Sequence, residues 1–153
     1  WSCIIRNLIK IIIEKIKFKQ KLYAIIIRNK FTKPGANFLT KSSLSQQMAH
    51  MEYKKGHKIR SHYHKKWVRK ISTTLEVLFI KKGKLRIDFY NTKGKYFLSK
   101  VLYEKDSVQF IYGGHGFEVI KNVSMIEIKQ GPFTKDTRKF FPSVNNVSLK
   151  IKK

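Results

Sequence analysis

The sequence has 153 residues, 42% of them hydrophobic, a length and content that suit one domain with a packed core and exclude a disordered chain. Its formal net charge of +25 is spread along the chain without a nucleic-acid-binding motif, so we expect nucleic acid to bind only nonspecifically. Cys3 is the only cysteine, which excludes an intrachain disulfide and a thiolate metal cluster and favours a cytoplasmic location.

Residues 1–21 contain the pattern of a basic amphipathic helix. Charged residues recur every three or four positions, with isoleucine and leucine on the opposite side. The apolar runs are too short to span a bilayer, and the charges argue against a signal peptide. We expect a helix that packs on its own domain, on a partner chain or on a membrane surface. A non-native extension is the remaining alternative.

From Tyr23 onward the pattern changes to short apolar segments typical of β-strands. Clusters of Gly, Asn, Lys and Asp separate them, and no helical pattern lies between them. The glycine-containing stretches FIKKGKLR and NTKGK are typical of β-hairpin turns. The sequence therefore predicts an all-β sandwich or barrel over residues 22–141, followed by a basic tail over residues 142–153.

Two histidines in the stretch GHKIRSHYH are candidate metal ligands. Alternate side chains of a strand share a face, so His62 and His64 are expected to point the same way and His57 the opposite way. Glu76 begins the next predicted strand, and His115 follows two glycines that let the backbone approach a site closely. Three imidazoles and one carboxylate in one cavity suit Fe, Mn, Ni or Zn. A structural, hydrogen-bonded role is the alternative for each histidine.

These residues resemble the first motif of the cupin superfamily. Gly56, His62 and His64 match G-x5-H-x-H, and Glu76 and Gly83 match the E-x6-G that follows. Eleven residues, KKWVRKISTTL, lie between the second histidine and the glutamate, where cupins usually have three or four. An inserted loop would preserve the geometry, because the glutamate keeps its spacing to the glycine.

A second stretch, KDSVQFIYGGH, is similar to the second cupin motif, although it lacks the motif's proline. Together the two motifs imply a jelly-roll barrel that binds a divalent metal through His62, His64, Glu76 and His115. The segments AIIIR, SQQMAHM, EVLFIKKGKLRIDFY, GGHGFE and EIKQGPF resemble a group of uncharacterised bacterial cupins. That group is associated with surface-polysaccharide and nucleotide-sugar pathways, which implies a small, sugar-derived substrate.

Four further residues are candidates for substrate binding. Arg69 lies in the long predicted loop, where a guanidinium suits a carboxylate or diphosphate, and Tyr112 is placed to stack on a sugar ring. Glu127 and Lys129 share one face of a predicted strand. On an interior face they would form a buried ion pair or an acid–base couple, and on an exterior face an ordinary charge pattern. No catalytic residue is assigned.

Three functions are open at this stage. The first is a metal-dependent isomerase, epimerase or oxygenase acting on a small, sugar-derived substrate. The second is a metal-free sugar-nucleotide epimerase or ketoisomerase with a histidine base, and the third is a non-catalytic sugar-binding module. Val77 and Phe79 are expected on the outer face of their strand, which predicts a homodimer that covers them. No transmembrane segment is predicted.

Overall fold

The computed structural model describes residues 12–140, and their regular elements are all β-strands. The strands are β1 (Ile13–Phe18), β2 (Lys21–Ile27), β3 (Gly35–Phe38), β4 (Ala49–Glu52), β5 (Glu76–Tyr90), β6 (Tyr96–Tyr103), β7 (Ser107–Phe110) and β8 (Gly114–Lys129). The prediction of an all-β fold is therefore confirmed for the described part of the chain. The basic tail predicted for residues 142–153 lies outside it.

The described residues divide into two compact units. Residues 12–31 and 75–140 form the first unit, which contains β1, β2 and β5 to β8. Residues 32–74 form the second unit, which contains the antiparallel β3–β4 hairpin and a long segment without helix or strand. The strand predicted around His62 and His64 is wrong, because this segment is exposed and has no apolar face to bury against a neighbouring strand.

The helix predicted for residues 1–21 is wrong in the part that the structure describes. Ile13–Phe18 is strand β1, which pairs antiparallel with β2 and places Ile16 opposite Ala24. Ile16 is buried in the core, and β-branched isoleucines favour a strand wherever pairing and burial are available. The remainder of the predicted helix, residues 1–11, lies outside the described residues.

The first unit is built on one antiparallel sheet with the strand order β1-β2-β7-β5-β6, and β8 pairs with β5. Strand β5 is long enough to pair with β7 over residues 76–79 and with β6 over residues 84–90. The hairpin predicted in FIKKGKLR is wrong, because β5 continues through Gly83. A Cβ atom there would meet the backbone of Asn122 in β8, so this glycine permits a close approach between strands. The second predicted turn, NTKGK, does connect β5 to β6.

The sheet curls into a half-barrel, so that its outer strands β1 and β6 face each other across a seam. The pairings found in the described residues do not join these two strands. Side chains close the seam instead. Phe18 stacks on Phe97 with ring centroids 4.7 Å apart, and Lys100 Nζ lies 2.5 Å from Glu14 Oε2. The enclosed core consists of Ile16, Tyr23, Ala24, Ile26, Leu78, Ile80, Leu85, Ile87, Phe89, Leu102, Val108 and Phe110.

Candidate functional site

Two of the predicted metal ligands meet on the concave face of the half-barrel. Glu76 begins β5, whereas His115 lies on β8 opposite Phe89, near the other end of β5. The curl of the sheet brings the two side chains together, with Glu76 Oε2 3.1 Å from His115 Nε2. Their side chains are 20% and 24% exposed, so the pair is accessible to a ligand.

Aromatic rings fix the orientation of the imidazole. The ring of His115 stacks on Phe110 with centroids 3.9 Å apart, and Phe117 lies at 5.2 Å. Phe110 is also the register partner of Glu76, so one aromatic side chain lies beside both members of the pair. An apolar surrounding of this kind strengthens a hydrogen bond between a carboxylate and an imidazole.

The turn before β8 places His115 at the start of the strand. Gly113 has a φ of 73°, and a Cβ atom at this position would clash with the ring of Tyr23. A glycine is therefore required for β7 to turn back into β8 at this distance from β2. The expectation that glycine allows a close backbone approach here agrees with this geometry.

Two further predicted residues lie beside Glu76. Lys129 Nζ is 3.6 Å from Glu76 Oε1 and 3.2 Å from Glu127 Oε1. The register places Glu127 opposite the core residue Leu78, so these side chains belong to the concave face. The side chain of Glu127 is nevertheless 47% exposed, and that of Lys129 is 37% exposed. The pair therefore lies on the interior face, as one alternative predicted, but it is not buried.

The charges in this group are set by their mutual contacts. The hydrogen bond from His115 lowers the pKa of Glu76, and the charge of Lys129 adds to this effect, whereas burial opposes it. The hydrogen bond with Glu127 raises the pKa of Lys129. At neutral pH the site therefore presents an ionised Glu76 next to an ammonium group and an imidazole.

The remaining predicted ligands, His62 and His64, lie in the exposed segment of the second unit. Their ring centroids are 5.4 Å apart, and His62 Nδ1 lies 3.0 Å from the carbonyl oxygen of Arg60. His57, five residues before His62, stacks on Tyr53 with ring centroids 4.3 Å apart. The two candidate histidines are thus close to each other, although no strand holds them on a shared face.

The other two predicted substrate contacts have different surroundings. Arg69 lies in the same exposed segment of the second unit. Tyr112 packs edge-on against Tyr23, and Lys21 Nζ lies 3.4 Å from the centroid of its ring. One face of the Tyr112 ring is therefore covered by a cation, which leaves less of it for a sugar.

Sequence reasoning missed the two aromatic residues beside His115. Phe117 lies two positions after the histidine, so the alternation of a strand could have placed it on the same face. Phe110 gave no comparable signal, because its approach to His115 depends on the curl of the sheet.

The donor atoms present fit part of a metal centre. Glu76 and His115 direct a carboxylate oxygen and an imidazole nitrogen to one point, and this pair suits Fe, Mn, Ni or Zn. Within residues 12–140, no group of three or more His, Cys, Asp or Glu side chains is placed to hold a metal ion. The structure therefore brings together two of the four expected ligands within one unit and the other two within the second.

Comparisons with known proteins do not assign the chain to a family. No protein-family model, curated protein or solved structure matches this sequence. Residues 12–140 contain no helix that is long and apolar enough to cross a membrane. The resemblance to cupins accordingly rests on the motif residues themselves and on the all-β fold.

Proposed function

We propose that this protein is a metal-binding cupin that acts on a small, polar, sugar-derived substrate. One observation carries the proposal. Glu76 and His115, which the resemblance assigns to one ligand set from two separate motifs, have side-chain atoms 3.1 Å apart. In the proposal His62 and His64 are the other two ligands. A single cysteine agrees with a reducing, cytoplasmic location, which we include in the proposal.

The surroundings of Glu76 are suited to such a substrate. A divalent metal held by these ligands would supply a Lewis acid for a carbonyl or hydroxyl group. Lys129 is accessible and cationic, so it is placed to bind a carboxylate or hydroxyl oxygen. Phe117, which is 43% exposed, offers an apolar surface against which a sugar ring can pack. Glu127, the partner of the lysine, is placed to accept a proton from a substrate hydroxyl.

A metal-free epimerase or ketoisomerase is the second candidate, and the same contact favours it. The carboxylate of Glu76 holds the imidazole of His115 in a fixed orientation without any metal. An imidazole positioned in this way is suited to act as a general base at a sugar carbon. The lowered pKa of Glu76 keeps its carboxylate ionised, as this role requires.

Elemental analysis tests the first candidate. Protein purified without an affinity tag or added metal is expected to contain a stoichiometric divalent metal. His62→Ala and His115→Ala remove donors and should lower the metal content to background, whereas Glu76→Gln should lower it less because an amide oxygen still coordinates. His57→Ala is the matched control, since it removes an exposed histidine of the same segment and should leave the metal content unchanged.

Thermal stability separates the two candidates. Added metal should raise the unfolding temperature of the wild type, because metal bound only by the native state stabilises it. If the wild type takes up no metal and His62→Ala leaves the unfolding temperature unchanged, the metal proposal is wrong. Exchange of a sugar-nucleotide C–H hydrogen with deuterated solvent, abolished by His115→Ala, would then support the metal-free enzyme.

Strand β8 supports a homodimer as part of the proposal. Its 16 residues pair with β5 along one edge, and no other pairing is found for it in the described residues. A long unpaired edge is a template for another strand, and this one also carries exposed apolar side chains. They are Phe117, Val119, Ile120, Met125, Ile126 and Ile128.

The charges of β8 favour a second copy as the partner. In a chain of net charge +25, Glu118 and Glu127 balance Lys121 and Lys129 within this strand. Two antiparallel copies of β8 about a two-fold axis therefore meet without net repulsion along the strands. We expect dimers in sedimentation velocity and monomers for Ile126→Lys. The control Val68→Lys adds the same charge at an exposed valine of the second unit, and a monomeric wild type would contradict the dimer.

A further inference from the structure

A cleft lies in the first unit, at the end of the seam between β1 and β6. It has a volume of about 560 Å³, within the range of small-molecule sites. The turn between β1 and β2 forms one wall, and the turn between β5 and β6 with the start of β6 forms the other. None of the residues in its walls belongs to the group around Glu76.

Three lysines line this cleft without an acidic neighbour. Lys17 and Lys19 belong to one wall and Lys95 to the other, and no carboxylate among the described residues lines the cleft. By contrast, Lys100 and Lys129 of the same unit each contact a carboxylate. The three lysines are exposed, and because like charges around one cleft repel one another, a bound anion lowers the energy of this arrangement.

The conformation of the β1–β2 turn contributes to the cationic wall. Lys19 and Gln20 have φ angles of 45° and 61°, in the left-handed region that non-glycine residues rarely adopt. In this conformation the backbone reverses within two residues, and Lys19 becomes part of the wall. Positive φ at both central residues is the usual conformation of a two-residue hairpin turn, here between the paired residues Phe18 and Lys21.

Aromatic side chains line the same cleft. Phe18 and Phe97 stack across the seam with an interplanar angle of 29°, and Tyr96 lies next to them on β6. All three rings are half-buried. Phe18 and Phe97 cover one face of each other, and Lys19 Nζ lies 5.9 Å from the centroid of the Phe18 ring, so only the remaining surface of each ring is open to the cleft. Such rings offer a surface on which a planar base can stack.

We propose that this cleft binds a nucleoside diphosphate. The phosphates contact Lys17, Lys19 and Lys95, and the base packs against Phe18 and Phe97. Lysine suits this ligand because it binds phosphate as a point charge from several directions. Two walls that enclose the site favour a small nucleotide over a polymer. This site goes beyond the proposed metal function and does not depend on it.

Isothermal titration calorimetry with the full chain at physiological salt tests the proposal. ADP and UDP are expected to bind, inorganic pyrophosphate more weakly, and adenosine not measurably. Lys17→Ala and Lys95→Ala should each weaken ADP binding about tenfold, the loss expected for a charge-assisted contact. The matched control is Lys93→Ala, which removes the same charge from the same β5–β6 turn at a residue outside the cleft walls. It should leave ADP binding unchanged.

A second comparison isolates the aromatic wall. Phe18→Leu should weaken ADP binding and leave pyrophosphate binding unchanged, with circular dichroism confirming the fold. If that variant fails to fold, the preference of the wild type for ADP over pyrophosphate still tests the role of the ring. Absence of ADP binding, equal binding of ADP and pyrophosphate, or an equal loss in Lys93→Ala would overturn the proposal. Glu76→Gln should bind ADP as the wild type does. ADP binding therefore tests the cleft independently of the metal proposal.

Discussion

Carboxylate groups lie near both ends of strand β7, and they differ in how many contacts they make. Near the first end, Asp106 and Glu14 contact Arg28, and their side chains are 4% and 16% exposed. Near the second end, Glu76 contacts His115, and its side chain is 20% exposed. The comparison shows how one sheet uses similar side chains for support and for a candidate reaction site.

Several hydrogen bonds satisfy the polar groups of Arg28 and Asp106. Arg28 donates to Glu14 and Asp106 at 2.7 Å each, and Asp106 also accepts hydrogen bonds from the backbone N–H groups of Asn29 and Tyr103. Burial alone would lower the pKa of Arg28, but the hydrogen bonds to Asp106 and Glu14 raise it above its usual value. The two carboxylates therefore compensate the charge of the guanidinium. The group links β1, β6 and the residues that flank β2 and β7.

The contacts of Glu76 are fewer and longer. Its carboxylate meets one imidazole at 3.1 Å and one ammonium at 3.6 Å, and each of these side chains is partly exposed. Carboxylate and imidazole groups that are accessible and incompletely satisfied retain the capacity to bind a metal, a substrate or a proton. The number of hydrogen bonds that satisfy each group, more than its charge, therefore separates the structural group from the candidate site.

The largest effect that this comparison predicts follows the loss of Asp106. Asp106→Ala leaves the half-buried guanidinium of Arg28 short of a partner and two backbone N–H groups without their acceptor. We expect a loss of about 3–5 kcal/mol in the free energy of unfolding, measured by chemical denaturation. Glu104→Ala, two positions away in an exposed turn, is the control and should cost little. Equal losses of stability for the two variants would contradict a structural role of Asp106, whereas unchanged metal content per folded chain would show that this role is separate from the candidate site.

A smaller effect is expected at Glu76, because its ion pairs are partly exposed. Glu76→Gln should change the free energy of unfolding by less than about 1 kcal/mol at neutral pH. The pKa of Glu76 is lowered from 4.5, so the stability due to its carboxylate is present above pH 4.5 and is lost as the pH falls through the lowered pKa. Thermal unfolding of wild type and variant across acidic pH measures this. A stability difference that persists in strong acid would contradict the assignment.

Sequence patterns were sufficient for the all-β class and for selecting two residues that lie in contact. Alternating apolar residues predicted strands, and the motif spacing selected Glu76 and His115, which the curl of the sheet places side by side. The pattern failed at β1, where charges every three or four residues also fit a strand that buries Ile16. Pairing with β2 favours the strand over the helix, and the periodicity of a single segment contains no information about pairing.

The group around Arg28 could not have been predicted in the same way. Glu14, Arg28 and Asp106 are far apart in the sequence, and single charges carry little signal in a chain with 34 Lys and Arg residues. Gly83 is a related case. The sequence around it fits a hairpin turn as well as the close approach to β8 that the structure has. In both cases contacts between distant strands, rather than local preference, determine the outcome.

The central position of β5 has a consequence for how the first unit opens. Strands β6, β7 and β8 all pair with β5, and β7 in turn connects β2 and β1 to it. Local fraying can release an outer strand such as β1 and leave the remaining pairings intact. Opening β5 breaks three pairings at once, so we expect the backbone amides in these pairings to exchange hydrogen with solvent through cooperative unfolding of the sheet.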